Sequence, residues 1–200
     1  MKLYSNPFSP FARKVIVGLR EMKAIDEVEI INVAGTPVNS GNIPVSENPL
    51  GKIPTLVGTP QGTLFDSRVI CYFIDSHFEG GLYPTSDFWK ILRMEATADG
   101  IMDAAVLTTY EKRVRSQEQQ SQEWMNGQWA KIKRSLDALE IDGKEVLDLQ
   151  LNMAQVALGC ALGYLDFRHS DRPWRPDHPQ LHEWFSKFRQ RPSMVATKPE

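Results

Sequence analysis

The sequence predicts an α/β domain over residues 1–79 followed by an all-α domain over residues 86–200. Three observations carry that prediction. Strand-like, β-branched runs occur only in the first eighty residues. From about Asp87 onward apolar residues recur at helical spacing and no strand pattern returns. Between the two lies "EGGLYPTS" (79–86), whose glycines and proline mark a linker.

The elements follow in order. Residues 2–5 read as a strand and residues 10–23 as a helix, with Val15, Ile16 and Leu19 on one face. "VEIINV" (28–33) is a β-branched strand. A polar loop with Gly35, Pro37, Gly41 and Pro44 follows, and a short irregular helix is expected within it. "TLV" (55–57) and "TLF" (63–65) read as two short strands joined by a Gly/Pro-rich turn. Residues 67–78 form a helix with Val69, Ile70, Phe73 and Ile74 as its apolar face. The order is β-α-β-α-β-β-α. Long helices are then predicted over 87–115 and 118–139, and an amphipathic one over 179–191. "NMAQVALGCALGYLDFR" (152–168) is apolar on almost every side and predicts a buried central helix. Asn152 and Gln155 are spaced as a capping box, with Leu151 and Val156 as a hydrophobic staple.

Composition narrows the function. The chain is 42% hydrophobic and 24% charged, with a formal net charge of -2. No charge excess points to nucleic acid or a membrane surface. No apolar run is long enough to span a bilayer, and the Met1-Lys2-Leu3 start lacks the features of a signal peptide. Two scattered cysteines, Cys71 and Cys160, fit a reducing, cytoplasmic setting better than a disulfide framework. There is no C-x-x-C. His178 and His182 are four apart, but Pro179 lies between them and no third ligand pattern follows, so no metal site is assigned.

Three short stretches can carry chemistry. In "NPLGKIPTLV" (48–57), Ile53-Pro54 stands at the mouth of a strand. A cis peptide there leaves the backbone N–H and C=O of Ile53 to pair with an extended peptide ligand; a loop proline of no consequence is the plain alternative. In "FDSRVI" (65–70), Asp66-Ser67 opens a helix. A helix N-terminus with a hydroxyl donor suits a carboxylate, and Asp66 suits an ammonium group, together the two ends of an α-amino acid head group. The alternative is a simple N-cap. Ser9 precedes Pro10 at the start of the first helix. Either it caps that helix, or its hydroxyl donates to a bound thiolate. Lowering a thiol pKa from about 8.5 to about 6.5 takes about 2.7 kcal/mol. One hydrogen bond to an anion supplies roughly 1.5–3 kcal/mol.

The order and setting of these stretches resemble the glutathione transferase family, in particular bacterial members whose thiol-activating residue is a serine. "SPFARKV", "NPLGKIPTL", "DS", and the late "ALGYLDFR" and "HPQLHEWFSKFRQRPS" carry the resemblance over nearly the whole chain. It implies a thioredoxin-like, glutathione-binding domain over 1–79 and a helical domain over 86–200 that helps bind a small electrophilic second substrate. It implies a transferase, with glutathione as co-substrate and no permanently bound cofactor; the alternatives are a non-catalytic binding or regulatory module on the same fold and a glutathione-dependent peroxidase or reductase. It implies a homodimer. By motif, Ser9 would activate the sulfur, with Asn6 or Tyr4 as substitutes. Ile53, before Pro54, would pair with the cysteinyl backbone, Asp66 and Ser67 would hold the γ-glutamyl end, and Lys52 would lie near the glycyl carboxylate. Phe8, Phe11, Met102 and Tyr110 would line the second-substrate pocket, ordinary packing being the alternative for each. Asp99 is assigned either to an exposed helix face or to a partner subunit's glutathione. Where the family commonly has Glu or Gln before the serine, this chain has Asp66, one methylene shorter.

Overall fold

Strand β1 (Lys2–Ser5) is the hub of the first half, and its register sets the sheet. In the computed structural model, which describes all residues from Met1 to Glu200, β1 pairs in parallel with β2 (Glu29–Asn32), Leu3 lying opposite Ile30. On its other side it pairs antiparallel with β3 (Thr55–Thr59), Leu3 opposite Leu56. Strand β4 (Gly62–Leu64) closes an antiparallel hairpin on β3, giving the mixed order β2-β1-β3-β4. Parallel pairing of β1 and β2 requires a crossover, which α1 (Pro10–Glu21) supplies. Leu3 and Leu56 lie beneath the buried stripes of α1 and α2 (Ser67–His77).

That stripe differs from the predicted one. Ser67, Ile70, Cys71 and Ile74 are buried at i, i+3, i+4 and i+7, whereas Val69 falls off the face and is exposed. The irregular helix expected after β2 does not form. Residues 34–50 are turns held by side chains: the Asn42 Oδ1 accepts from the Ala34 N–H at 2.7 Å, and Thr36 and Asn39 form an isolated bridge. Five prolines and glycines in that stretch favour turns over a helical ladder.

The second half contains α3 (Phe88–Val114), α4 (Gln122–Asp142), the short α5 (Lys144–Leu147), α6 (Met153–Arg168), α7 (Pro179–Phe188) and the one-turn α8 (Pro192–Val195). Helix α6 is buried on nearly every side and packs against both α3 and α1, so it joins the two halves of one continuous apolar core. Its predicted capping box is half formed. Asn152 Oδ1 accepts from the Gln155 N–H at 3.1 Å, but the Gln155 amide turns away and donates to the carbonyls of Val146, Leu147 and Leu149. The glutamine thereby satisfies the C-terminal carbonyls of α5 rather than the cap's own N–H. Helix α8 is fastened to α1: Arg191 forms a two-pronged pair with Glu21, each bond 2.8 Å. No helix is long and apolar enough to cross a membrane.

Candidate active site

The turn between β1 and α1 is shaped by Asn6. Its Oδ1 accepts from the Phe8 N–H at 3.0 Å and its Nδ2 donates to the Val33 carbonyl at 2.9 Å, tying the turn to the end of β2. Ser9, half-buried, then caps α1: its Oγ accepts from the Ala12 N–H at 3.2 Å. The hydroxyl proton is not used by that bond and is left to donate. Pro10 occupies the first helical position, where a missing N–H costs nothing.

The second stretch folds around Asn48, a fully enclosed amide. Its Nδ2 donates to the Lys52 carbonyl at 3.0 Å and to Thr55 Oγ1 at 3.1 Å, and its Oδ1 accepts from the Leu50 N–H at 3.0 Å. Gly51, at φ +59, takes the left-handed step that reverses the chain here. The Ile53-Pro54 peptide is cis. Pro54 is buried, Ile53 is half-buried, and the Ile53 N–H and C=O have no backbone partner. Lys52 points to solvent.

At the third stretch Asp66 caps α2, its Oδ1 accepting from the Arg68 N–H at 3.0 Å and its Oδ2 from the Arg68 guanidinium at 3.2 Å. Partial burial pushes this carboxyl up, but the Arg68 bonds outweigh it and hold the group below its ordinary value. Ser67 is buried apart from a small exposed fraction, and its hydroxyl takes no partner within the chain.

Behind both helix starts lies a charged cluster that the sequence did not reveal. Lys14 is fully buried and donates to Glu95 at 3.0 Å and to both oxygens of Asp99 at 2.8 and 2.9 Å. Tyr83 donates to Glu95 at 2.8 Å, and Arg68 Nε stands 3.7 Å from Asp99. Burial would depress the Lys14 ammonium, but its acidic neighbours hold it above the ordinary value. Burial pushes Asp99 up to about 6, with Lys14 opposing. Asp99 is thus 6% exposed and held from within its own chain, not a solvated helix carboxylate. A single isolated Lys14 in an apolar stripe gives no spacing signal for partners eighty residues away.

The side of Ser9 facing the helical half is aromatic and cationic. Phe8, 45% exposed, stacks on Phe167 with centroids 5.9 Å apart, and the Arg168 guanidinium lies 4.0 Å over the Phe167 ring. Tyr110 reaches the Gly35 carbonyl at 3.4 Å. Phe11 packs half-buried against the core. Met102 is completely enclosed between α3 and its neighbours and presents no surface to a second substrate, which removes it from the expected pocket. Arg13, Tyr164 and Pro199 line a narrow cleft with Ser9 of about 10 Å³. Ser9 and Arg13 are one turn apart on α1, and Tyr164, Phe167 and Arg168 share one face of α6. That i, i+3, i+4 pattern was readable, but not which helix it would face.

Both cysteines are buried and burial pushes their thiols up, Cys160 to about 11, so neither offers a thiolate at neutral pH. The His178 nitrogens are engaged by the Trp174 carbonyl at 2.6 Å and by Asp137 at 2.9 Å, so this ring packs α7 onto α4.

The model of the glutathione S-transferase N-terminal domain matches residues 8–77, and that of the C-terminal domain matches residues 122–186. An uncharacterized GST-like protein of Escherichia coli K12, YibF, is 37% identical over 205 residues, covering 100% of this chain and 98% of its own length. A glutathione transferase family member from Pseudomonas fluorescens Pf-5, solved with bound glutathione, is 43% identical and superposes with a TM-score of 0.96, covering 100% of this chain and 98% of that one. A second structure of a Pf-5 family member, with bound S-(propanoic acid)-glutathione, is 42% identical with a TM-score of 0.91 over 100% of this chain and 99% of that one.

Proposed function

The chain belongs to the glutathione S-transferase family, and from that premise we propose that it is a glutathione transferase acting on a small electrophile, with Ser9 as the residue that activates the sulfur. The observation that carries this is the Ser9 hydroxyl, which accepts from the Ala12 N–H at the N-terminus of α1 and keeps its own proton for an anion. Helix end and hydroxyl together favour a thiolate over a thiol. The backbone of Ile53, after the Lys52 carbonyl is taken up by Asn48, is free to pair with the cysteinyl unit in strand fashion. Ser67, with its unpartnered hydroxyl, and Asp66 receive the γ-glutamyl head group, and exposed Lys52 attracts the glycyl carboxylate. The sulfur then bonds to the electrophilic carbon while the leaving group departs with its electron pair, or the pair moves onto an activated double bond. No resident cofactor enters this scheme.

The Pf-5 relative holding a three-carbon acid on the glutathione sulfur supports a second substrate of that small size. An exposed aromatic patch of Tyr72 and Trp89, the latter 79% exposed, supports homodimerisation through α2 and the start of α3. Two unpaired cysteines support a cytoplasmic site of action.

The test is the ionisation of bound glutathione, followed by thiolate ultraviolet absorbance. Wild type is expected to lower the thiol pKa by about 2 units, and Ser9→Ala to restore most of it. A bound thiol that titrates at its free value in wild type overturns the reading.

A further inference from the structure

Arg13 is 7% exposed and has no carboxylate within 4.0 Å. Its Nη2 donates to the Met194 carbonyl at 3.0 Å and its Nε to Thr197 Oγ1 at 3.2 Å, while Nη1 makes no hydrogen bond. Neutral acceptors do not offset a buried charge, which is ordinarily paired. The other arginines anchoring the helical half follow that rule: Arg175 grips Asp166 and Arg191 grips Glu21, both with two prongs. Arg13 is the exception, and it lines the cleft that contains Ser9. None of the residues lining that cleft is acidic. At its rim Arg168 lies over Phe8 and Phe167, also without a carboxylate partner. Room for the guanidinium is built in: a Cβ on Gly163 of α6 would stand 2.7 Å from Arg13 Nη1.

From these observations we infer that the second substrate carries a carboxylate close to its electrophilic carbon, and that Arg13 is the specificity-determining residue that receives it. A planar guanidinium with a free Nη1 matches a carboxylate in geometry as well as charge. Sulfur activation by Ser9 and carboxylate capture by Arg13 would then occur one helical turn apart on the same face of α1. This inference rests on the glutathione transferase reading above.

The experiment compares the affinities of three probes for the full chain by calorimetry at neutral pH: glutathione, S-(carboxymethyl)glutathione and its neutral isostere S-(carbamoylmethyl)glutathione. Wild type is expected to bind the acid about tenfold more tightly than the amide. Arg13→Gln is expected to bring the two within twofold of each other, and Arg13→Lys to retain part of the preference. The ratio is the readout, so a general loosening of α8 cancels. Should Arg13→Gln fail to fold, Gly163→Ala displaces Nη1 with the arginine intact and is expected to lower the same ratio. Thr197→Ala, which removes only the tether, is expected to leave the ratio in place. Equal affinity for acid and amide in wild type, or a preference that survives Arg13→Gln and Gly163→Ala, overturns the inference while glutathione binding keeps the transferase reading intact. Failure of all three probes to bind overturns both.

Discussion

At the start of α1 and again at the start of α2, a strand gives way within a few residues to a side chain that caps the helix. Ser9 accepts from the third N–H beyond it, and Asp66 from the second, at 3.2 and 3.0 Å. The settings differ. The first turns of α1 carry two buried cations, Arg13 and Lys14, whereas α2 begins with an exposed Arg68 already paired to Asp66. The same local device therefore offers one unpaired cation, Arg13, at α1, where Lys14 is already paired with Glu95 and Asp99, and none at α2. An anion with no counter-charge of its own suits the first, and a zwitterionic head group suits the second.

The largest effect that separates the two starts is expected at Lys14. Lys14→Met leaves Glu95 buried without a counter-ion and Asp99 with Arg68 alone, at 3.7 Å, and breaking such a buried cluster typically costs about 3–5 kcal/mol. The matching cut at α2, Arg68→Ala, removes the exposed pair with Asp66, worth about 0–1 kcal/mol, and the longer contact with Asp99, which keeps both its Lys14 bonds. Urea unfolding of both variants checks the contrast. Similar losses would mean that the buried cluster is not what holds α1 in place.

The next effect concerns ligand rather than fold. Ser9→Ala should raise the pKa of bound glutathione towards its free value, a change of about 2.7 kcal/mol, and leave glutathione affinity at low pH, where the thiol is neutral, nearly unaltered. Ser67→Ala should do the reverse, weakening affinity about tenfold by loss of a hydrogen bond to a charged group while the thiol pKa stays depressed. If both variants move both quantities, the division of labour between the two helix starts is wrong. Asp66→Glu, which adds the methylene that the family's usual residue has, is expected to change affinity by no more than threefold.

How far these two starts could be read in the sequence is itself instructive. Ser9-Pro10 and Asp66-Ser67 announce themselves because caps are local: the residue and its N–H partner lie within three positions. The same locality made β1, β3 and α6 legible. Lys14, Glu95 and Asp99 were not legible, because their pairing depends on how α1 and α3 cross, and a carboxylate on a long helix reads as solvated until something covers it. Met102 failed for a related cause. Its position on α3 was right for a pocket, but the rotation of that helix turned it into the core. The missing helix after β2 failed differently, since glycine, proline and asparagine side-chain bonds there compete with the helical ladder.

The smallest expected difference is in pH dependence, and it has opposite signs at the two starts. Asp99 has an ordinary value of 3.8 and sits at about 6 in the folded protein. Between those values the folded chain holds a proton that the unfolded chain has released. The stability this group supplies is thus present in full below about 3.8 and is lost as pH rises through about 6. Asp66 is lowered on folding, so its contribution is present above 3.8 and is lost as pH falls below it. Urea midpoints measured from pH 4.5 to 7.5 should show wild type gaining on Asp99→Asn as pH falls, while the gap between wild type and Asp66→Asn stays flat across the same range. A flat gap for Asp99→Asn would mean that Lys14 keeps the carboxylate ionised throughout. The buried cluster would then act as a permanent ion pair behind α1, and the difference between the two helix starts would be one of burial alone.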